Sequence, residues 1–188
     1  MRSNGPSHPH TFIVWVENKP GVLNRVASLF RRRNYNIHSL NVGTTQDPRI
    51  SRMTLVVDIE DTKAHLIEAN LYKLVNVLDV QDVTGEPAVV RELALIKVKA
   101  PPGMRTEIIN LAAVYRASIV DVSPETVTVE ITGAPEKVDS LIEMLRPAGI
   151  VEVVRTGRVA MTRGTAAGRR YLPGANGAPG TPADVDEG

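Results

Sequence analysis

Apolar side chains in the first half of the chain recur with two spacings, one typical of strands and one typical of helices. Positions 52–59 alternate between apolar and polar side chains, which predicts a strand with one buried face. Positions 21–33 repeat apolar side chains at steps of three and four, which predicts an amphipathic helix with Val22, Leu23, Val26, Ala27 and Phe30 inward. In chain order, the predicted elements are a strand at 11–17, a helix at 21–33, strands at 36–44 and 52–59, a helix at 62–76 and a strand at 78–84.

The second half of the chain repeats the same order of patterns. Alternating Val127, Val129 and Ile131 predict one strand, and Val138, Leu141, Ile142 and Leu145 predict the inner face of a helix. The predicted elements are a strand at 92–99, a helix at 104–115, strands at 118–122 and 126–132, a helix at 135–145, a strand at 150–155 and a short strand at 158–161.

Both halves therefore read β-α-β-β-α-β, which is the order of ferredoxin-like domains. The predicted fold class is α+β, with two tandem ferredoxin-like domains and a disordered C-terminal tail. Each sheet is expected to bury one face under two helices and to leave its other face and its edges available. Exposed sheet edges invite pairing, so we expect a dimer.

Changes in composition give the domain boundaries. Gly85-Glu86-Pro87 separates the two halves, and beyond residue 164 Gly, Ala, Pro and Thr dominate, with few large apolar side chains to offset the cost of ordering. The predicted divisions are a flexible N-terminus at 1–10, a first domain at 11–85, a linker at 86–92, a second domain at 93–164 and a disordered tail at 165–188.

Composition excludes several classes of protein. The 22 basic and 21 acidic residues leave a net charge of +1, which lacks the basic surplus of a nucleic-acid-binding surface. The chain has no cysteine, so it has neither a disulfide framework nor a thiolate metal site. No apolar run is long enough to span a membrane, and the polar N-terminus is unlike a signal peptide. A cytoplasmic protein is therefore expected.

The turn between the first strand and the first helix carries the most informative chemistry. Pro20 suits the first helical position, and Gly21 leaves the backbone amides of the first turn uncovered. Such a helix start binds carboxylates, and Asn18 and Asn36 on its flanks are able to bind the charged groups of a small zwitterion. From the residues alone, the interpretation of Asn18 and Gly21 as ordinary turn residues stays equally open.

Residues 17–26 together with Asn34-Tyr35-Asn36-Ile37 resemble the opening of ACT domains, which bind amino acids as regulatory effectors. Further segments, in the same order, resemble the regulatory small subunit of acetohydroxyacid synthase, also called acetolactate synthase. They are residues 51–57, 72–80, 91–98, 119–122 and 161–164. The similarity extends from about residue 11 to residue 164.

The resemblance implies an effector site at a dimer interface that binds valine, and leucine or isoleucine more weakly. The implied contact residues are Asn18, Gly21, Val22, Leu23, Asn36 and Ile37. The family usually has glycine where this chain has Asn34, and asparagine tolerates the left-handed backbone better than most residues. We therefore expect the turn to be preserved.

The resemblance also implies a function: activation of a catalytic large subunit and its feedback inhibition by valine, in branched-chain amino-acid synthesis. Thiamine diphosphate, Mg²⁺ and FAD are then expected in that partner, and no cofactor in this chain. No catalytic motif is visible in the sequence. Two alternatives remain: a free-standing ACT protein that senses an amino acid and acts on another enzyme, and a ferredoxin-like nucleic-acid binder, which charge and the scarcity of aromatic residues disfavour.

The four histidines show no metal-ligand spacing, so no metal site is predicted. His8 and His10 fall in the N-terminal segment interpreted as flexible, and His38 is interpreted as a structural or interface residue on a strand. The run Arg31-Arg32-Arg33 is interpreted as a solvated helix C-terminus, where positive charge suits the helix dipole.

Overall fold

A computed structural model describes residues 7–164, so the predicted tail at 165–188 lies outside the described residues. The first domain contains six elements in the predicted order. They are β1 (His8–Glu17), α1 (Val22–Arg32), β2 (Ile37–Thr44), β3 (Ile50–Ile59), α2 (Asp61–Leu71) and β4 (Val77–Asp82). Within the described part of the chain, no helix has the length and apolar character needed to cross a membrane.

The strands of the first domain form an antiparallel sheet in the order β2-β3-β1-β4. Because β1 and β2 both run antiparallel to β3, they are parallel to each other, and α1 crosses the sheet to join them. Helix α2 joins β3 to β4 in the same way. The helix-facing core takes alternate residues from β1 and β3, among them Phe12, Val14, Met53 and Leu55.

The second domain repeats this topology. Its elements are β5 (Ala88–Lys99), α3 (Arg105–Val114), β6 (Ser118–Val122), β7 (Thr126–Gly133), α4 (Pro135–Leu145), β8 (Ile150–Arg155) and β9 (Val159–Thr162). The sheet order is β6-β7-β5-β8, with β9 paired to the first residues of β5. The predicted fold class of two tandem ferredoxin-like domains is confirmed.

The second face of the first sheet is covered, contrary to the expectation that it stays available. The start of β5 and strand β9 lie across it, so that Ile13, Val83 and Ala160 form a small separate core with Trp15 and Val90. The Arg52 guanidinium sits 5.5 Å from the Trp15 ring centroid and donates a hydrogen bond to the Ala160 carbonyl. The two domains are thus joined through packed side chains.

Three predicted boundaries were wrong. Residues 8–10, predicted to be flexible, form the start of β1, because His8, Pro9 and His10 pair with Ile59, Asp58 and Val57. Most of the predicted linker at 86–92 belongs to β5, because its first residues pair with β9.

The third wrong boundary is the end of α2. The helix predicted over 62–76 ends at Leu71, where the backbone tightens into turns that bond Lys73 N to Asn70 O and Leu74 N to Leu71 O. The helix begins one residue earlier than predicted, with Glu60 as its N-cap.

Candidate functional site

The turn into α1 has the backbone geometry that the sequence suggested. Gly21 is the N-cap residue, in the left-handed region with φ 84° and ψ −8°. No side chain caps the helix, and its first turn carries no acidic residue. The N–H groups of Leu23 and Asn24 meet no acceptor within residues 7–164. The helix start therefore offers bare amides and a positive dipole end to an anion.

Asn18 is held by the neighbouring β2–β3 loop. Its backbone N–H donates to the Arg49 carbonyl at 2.6 Å, and its Nδ2 donates to the Pro48 carbonyl at 2.9 Å. This leaves the side-chain oxygen of Asn18 as the group free to accept a hydrogen bond from a ligand cation.

The carboxylate of Asp47 stabilises the loop that supports Asn18. Asp47 accepts from the backbone N–H of Arg49 at 2.9 Å and pairs with its guanidinium at 2.7 Å. These charge-assisted hydrogen bonds lower the pKa of Asp47 to about 2, the side-chain bond from Arg49 contributing most. The loop is therefore ordered by an ionised carboxylate.

The second part of the predicted site follows α1. Asn34 adopts the left-handed conformation with φ 56°, so the expected preservation of that turn is confirmed. Tyr35 N then donates to Phe30 O at 3.0 Å, which folds the chain back under the helix. Asn36 is exposed, and Ile37 begins β2 opposite Val57.

These two parts lie at opposite ends of the same sheet. Glu17, just before Asn18, pairs with Ile50, and the end of β2 at Thr44 pairs with the adjacent Ser51. Ile37 lies at the other end of β2, seven residue steps away. At about 3.3 Å per residue this is about 23 Å, far longer than an amino acid. One protomer therefore does not bring Asn18 and Gly21 together with Asn36 and Ile37.

Val22 and Leu23 have different environments. The Val22 side chain is 4 % exposed and lies in the core, and its N–H already donates to the Lys19 carbonyl at 3.3 Å. Leu23 is 43 % exposed on the outer surface of α1. Of the two, only Leu23 has a side chain placed to contact a ligand.

Sequence reasoning missed a cavity between the domains, next to β2, with a volume of about 510 Å³. Its wall includes His38 and Ser39 from β2 and Arg155, Thr156 and Arg158 from the other domain. Arg155 donates to both carboxylate oxygens of Glu92, at 2.6 and 2.7 Å, and pairs with Asp139 at 2.8 Å. The Glu92 hydrogen bonds raise the pKa of Arg155 further above its usual range. His38 pairs with Asp58, which agrees with the structural role predicted for it.

Comparisons with known proteins follow the same division into two domains. Residues 12–79 match the family described as the AHAS small subunit-like ACT domain, and residues 91–164 match the family described as the small subunit of acetolactate synthase. The chain is 51 % identical over 155 residues to a probable acetolactate synthase small subunit of Archaeoglobus fulgidus, which covers 82 % of this chain and 97 % of that protein.

Two further relatives agree. The acetolactate synthase small subunit of Bacillus subtilis is 46 % identical over 151 residues, or 80 % of this chain and 88 % of that protein. The crystal structure of the acetolactate synthase small subunit from Thermotoga maritima is 42 % identical in sequence, with a TM-score of 0.77 over 83 % of this chain and 98 % of that chain.

Proposed function

The chain belongs to the family of acetolactate synthase small subunits, and from that premise we propose that it binds valine between two copies of its first domain. The observation that carries this proposal is the separation of the candidate site into two parts at opposite ends of one sheet. A ligand that needs both parts has to take one from each of two protomers.

The free edge of β2 supplies a geometry for this dimer. Strand β2 is an edge strand of its sheet within the described residues, as β4 is at the other edge, so the backbone groups on one side of β2 are available for pairing. Two β2 edges related by a two-fold axis pair antiparallel. Such pairing brings the Ile37 end of one protomer beside the Thr44 end of its partner, which is also the end that holds the turn at 18–21. Each dimer then contains two equivalent sites.

The chemistry of the two parts suits an α-amino acid. The bare N–H groups of Leu23 and Asn24 donate hydrogen bonds to the carboxylate, and the free oxygen of Asn18 accepts one from the ammonium. Asn36 of the second copy adds hydrogen bonds to the charged groups. Ile37 and Leu23 form the apolar wall around the side chain. Because such a wall discriminates against one methylene by only ~1–3 kcal/mol, leucine or isoleucine binds more weakly rather than being excluded.

In this proposal the chain activates a catalytic large subunit and makes that subunit sensitive to valine. The partner condenses pyruvate with pyruvate or with 2-ketobutyrate, using its own thiamine diphosphate, Mg²⁺ and FAD. Coupling between the valine site and the distant active site is of the order of ~1–3 kcal/mol. Purified alone, this chain should form no acetolactate from pyruvate, and turnover by the isolated chain would contradict the proposal.

The alternative of a free-standing ACT sensor is less well supported. Such a protein is expected to lack the second domain or to carry an unrelated one. Here residues 91–164 match the small-subunit family.

Subunit complementation tests the shared site. Gly21→Asp and Asn36→Ala are each expected to abolish or weaken valine binding in homodimers, measured by calorimetry. In a mixed dimer of the two variants, one site carries both changes and the other carries neither. The mixed dimer should therefore recover one valine site of parental affinity per dimer. If mixing recovers no site, the two parts do not act across protomers.

A further inference from the structure

We infer that His8, His10 and Asp61 form a binding site for a zinc ion. His8 and His10 lie two positions apart on β1, so both side chains are on the same face of the sheet. Asp61 is the first residue of α2 and faces them. One ligand atom from each residue lies within 4.8 Å of the other two.

Two of the three distances between ligand atoms are close to those of tetrahedral zinc coordination. His8 Nε2 and His10 Nε2 lie 2.9 and 3.0 Å from the same oxygen of Asp61. Ligand atoms about 2.0–2.2 Å from a tetrahedral zinc ion lie about 3.4 Å apart. Asp61 is 74 % exposed, so its side chain has room to move by the few tenths of an ångström that separate these two distances from that value.

The second nitrogen of His10 supports this assignment. His10 Nδ1 lies 3.1 Å from Asp82 Oδ2, and the other oxygen of Asp82 accepts from the Thr84 N–H at 2.9 Å. A neutral imidazole has a single N–H, so a ring that donates to Asp82 presents the lone pair of Nε2 toward Asp61. A divalent cation between Nε2 and the Asp61 carboxylate satisfies both groups. A carboxylate behind a ligating histidine is the usual outer partner in zinc sites.

The ligand types select the ion. Two imidazoles and one carboxylate suit zinc, with one coordination position left for water. The chain has no cysteine and four histidines, two of which are in this cluster. His10 is only 5 % exposed, so its ring is fixed in place before any metal binds.

The expected consequence of zinc binding is a cross-link between elements at one end of the first domain. The ion would join β1 to the start of α2, and through Asp82 to the end of β4. It would be separate from the Mg²⁺ expected in a catalytic partner. The assignment does not depend on the proposed valine site, because none of its ligands belongs to that site.

The test uses the full chain without a histidine affinity tag, treated with a chelator and then titrated with Zn²⁺ in a calorimeter. We expect one ion per chain and a rise in Tm of about 5 °C at saturation. His8→Ala and Asp61→Asn should each weaken zinc binding at least tenfold, and Asp82→Asn should weaken it about 10–100-fold by releasing the His10 ring. His65→Ala, in an exposed histidine of α2 outside the cluster, is the matched control and should bind like the parent.

A Zn²⁺ titration that shows no heat of binding and no change in Tm would overturn the assignment. So would equal binding by the parent, His8→Ala and Asp61→Asn, or an equal loss in His65→Ala. His8 is 42 % exposed and its replacement should leave the zinc-free melting temperature unchanged, so a loss of binding in that variant reports on the site. Cobalt gives a second measurement: the parent should develop the visible absorption of four-coordinate Co²⁺, and His8→Ala should not.

Discussion

Ile13 and Leu95 occupy equivalent places in two domains of the same topology. Ile13 lies on β1 and Leu95 on β5, and each of these strands has a neighbouring strand on both sides. Each residue lies between two core residues of its strand, and its side chain is directed away from the helices. Ile13 is 1 % exposed because β9 and the start of β5 cover its face of the sheet. Leu95 is only half-buried. Topology alone therefore does not decide whether the second face of a ferredoxin-like sheet is covered.

The turns before α1 and α3 differ in a similar way. Both are rich in proline and glycine, at 19–21 and at 101–103. The first helix begins after a left-handed glycine and has no acid in its first turn. Helix α3 has Glu107 in its first turn, and Gly103, which precedes it, does not take a positive φ. Only the first turn offers an uncompensated positive end to an anion, so only the first is expected to bind an effector.

The largest expected effect comes from removing β9. Truncation after Gly157 should expose the apolar face around Ile13 and Trp15 and leave the first residues of β5 unpaired. We expect the free energy of unfolding to fall by about 4 kcal/mol or more in urea titrations. Truncation after Gly164 is the control and should change stability and activation little, because the sequence beyond it lacks an apolar pattern. Equal stability of the two truncated chains would mean that β9 contributes nothing to the first domain.

A pair of alanine substitutions measures the difference in burial directly. Ile13→Ala should cost about 2–4 kcal/mol, because it leaves a cavity between the sheet and Ala160. Leu95→Ala should cost about 1 kcal/mol or less, because its site is partly hydrated already. The measurement is the urea midpoint and slope of each variant. Similar losses at the two positions would show that the second sheet is also covered in solution.

The two turns are compared by introducing the same acid into each. Gly21→Asp should lower valine affinity at least tenfold, because its carboxylate occupies the helix start and repels the ligand. Gly21→Asn is the matched control for bulk and for backbone strain at φ 84°, and should bind more tightly than Gly21→Asp. Gly103→Asp, in open space before α3, should bind valine like the parent. Calorimetry with valine checks all three, alongside activity reconstituted with the catalytic subunit. Loss of binding in Gly103→Asp would contradict the assignment.

The smallest expected effect is the loss of stability of the β2–β3 loop at low pH. The pKa of Asp47 is lowered from 3.8 to about 2 in the folded chain, so its stabilisation of the β2–β3 loop is present above about pH 4 and is lost as pH falls through about 2. The matching β6–β7 turn is held by the Ser123 hydroxyl, which accepts from Thr126 N at 3.1 Å and does not titrate. Asp47→Asn at neutral pH should therefore speed amide hydrogen exchange at Arg49 and leave Thr126 unchanged. Slow exchange at Arg49 in this variant would show that the charge is not needed.

Some elements follow from local sequence alone. The bounds predicted for residues 118–122, 135–145 and 150–155 are those of the structure. For the helix at 135–145 the reason is local: Pro135 marks its start, and Val138, Leu141 and Leu145 define one inner face. The left-handed turn at Asn34 was predicted for the same kind of reason, since asparagine tolerates that backbone. The end of α2 was not predictable in this way. Leu74 and Val75 extend the helical pattern, yet Val75 is 90 % exposed in a turn.

The order of strands and helices, the repeat of one domain and the residue types of the turn before α1 follow from the amino-acid sequence. Those depend on side-chain periodicity and on backbone preferences within a few residues. Folding in three dimensions sets which faces of the sheets are covered, places the two parts of the candidate site about 23 Å apart, and brings His8 and His10 to Asp61. These features join residues from distant segments, and their free energy comes from packing and pairing that exist only once the chain has folded.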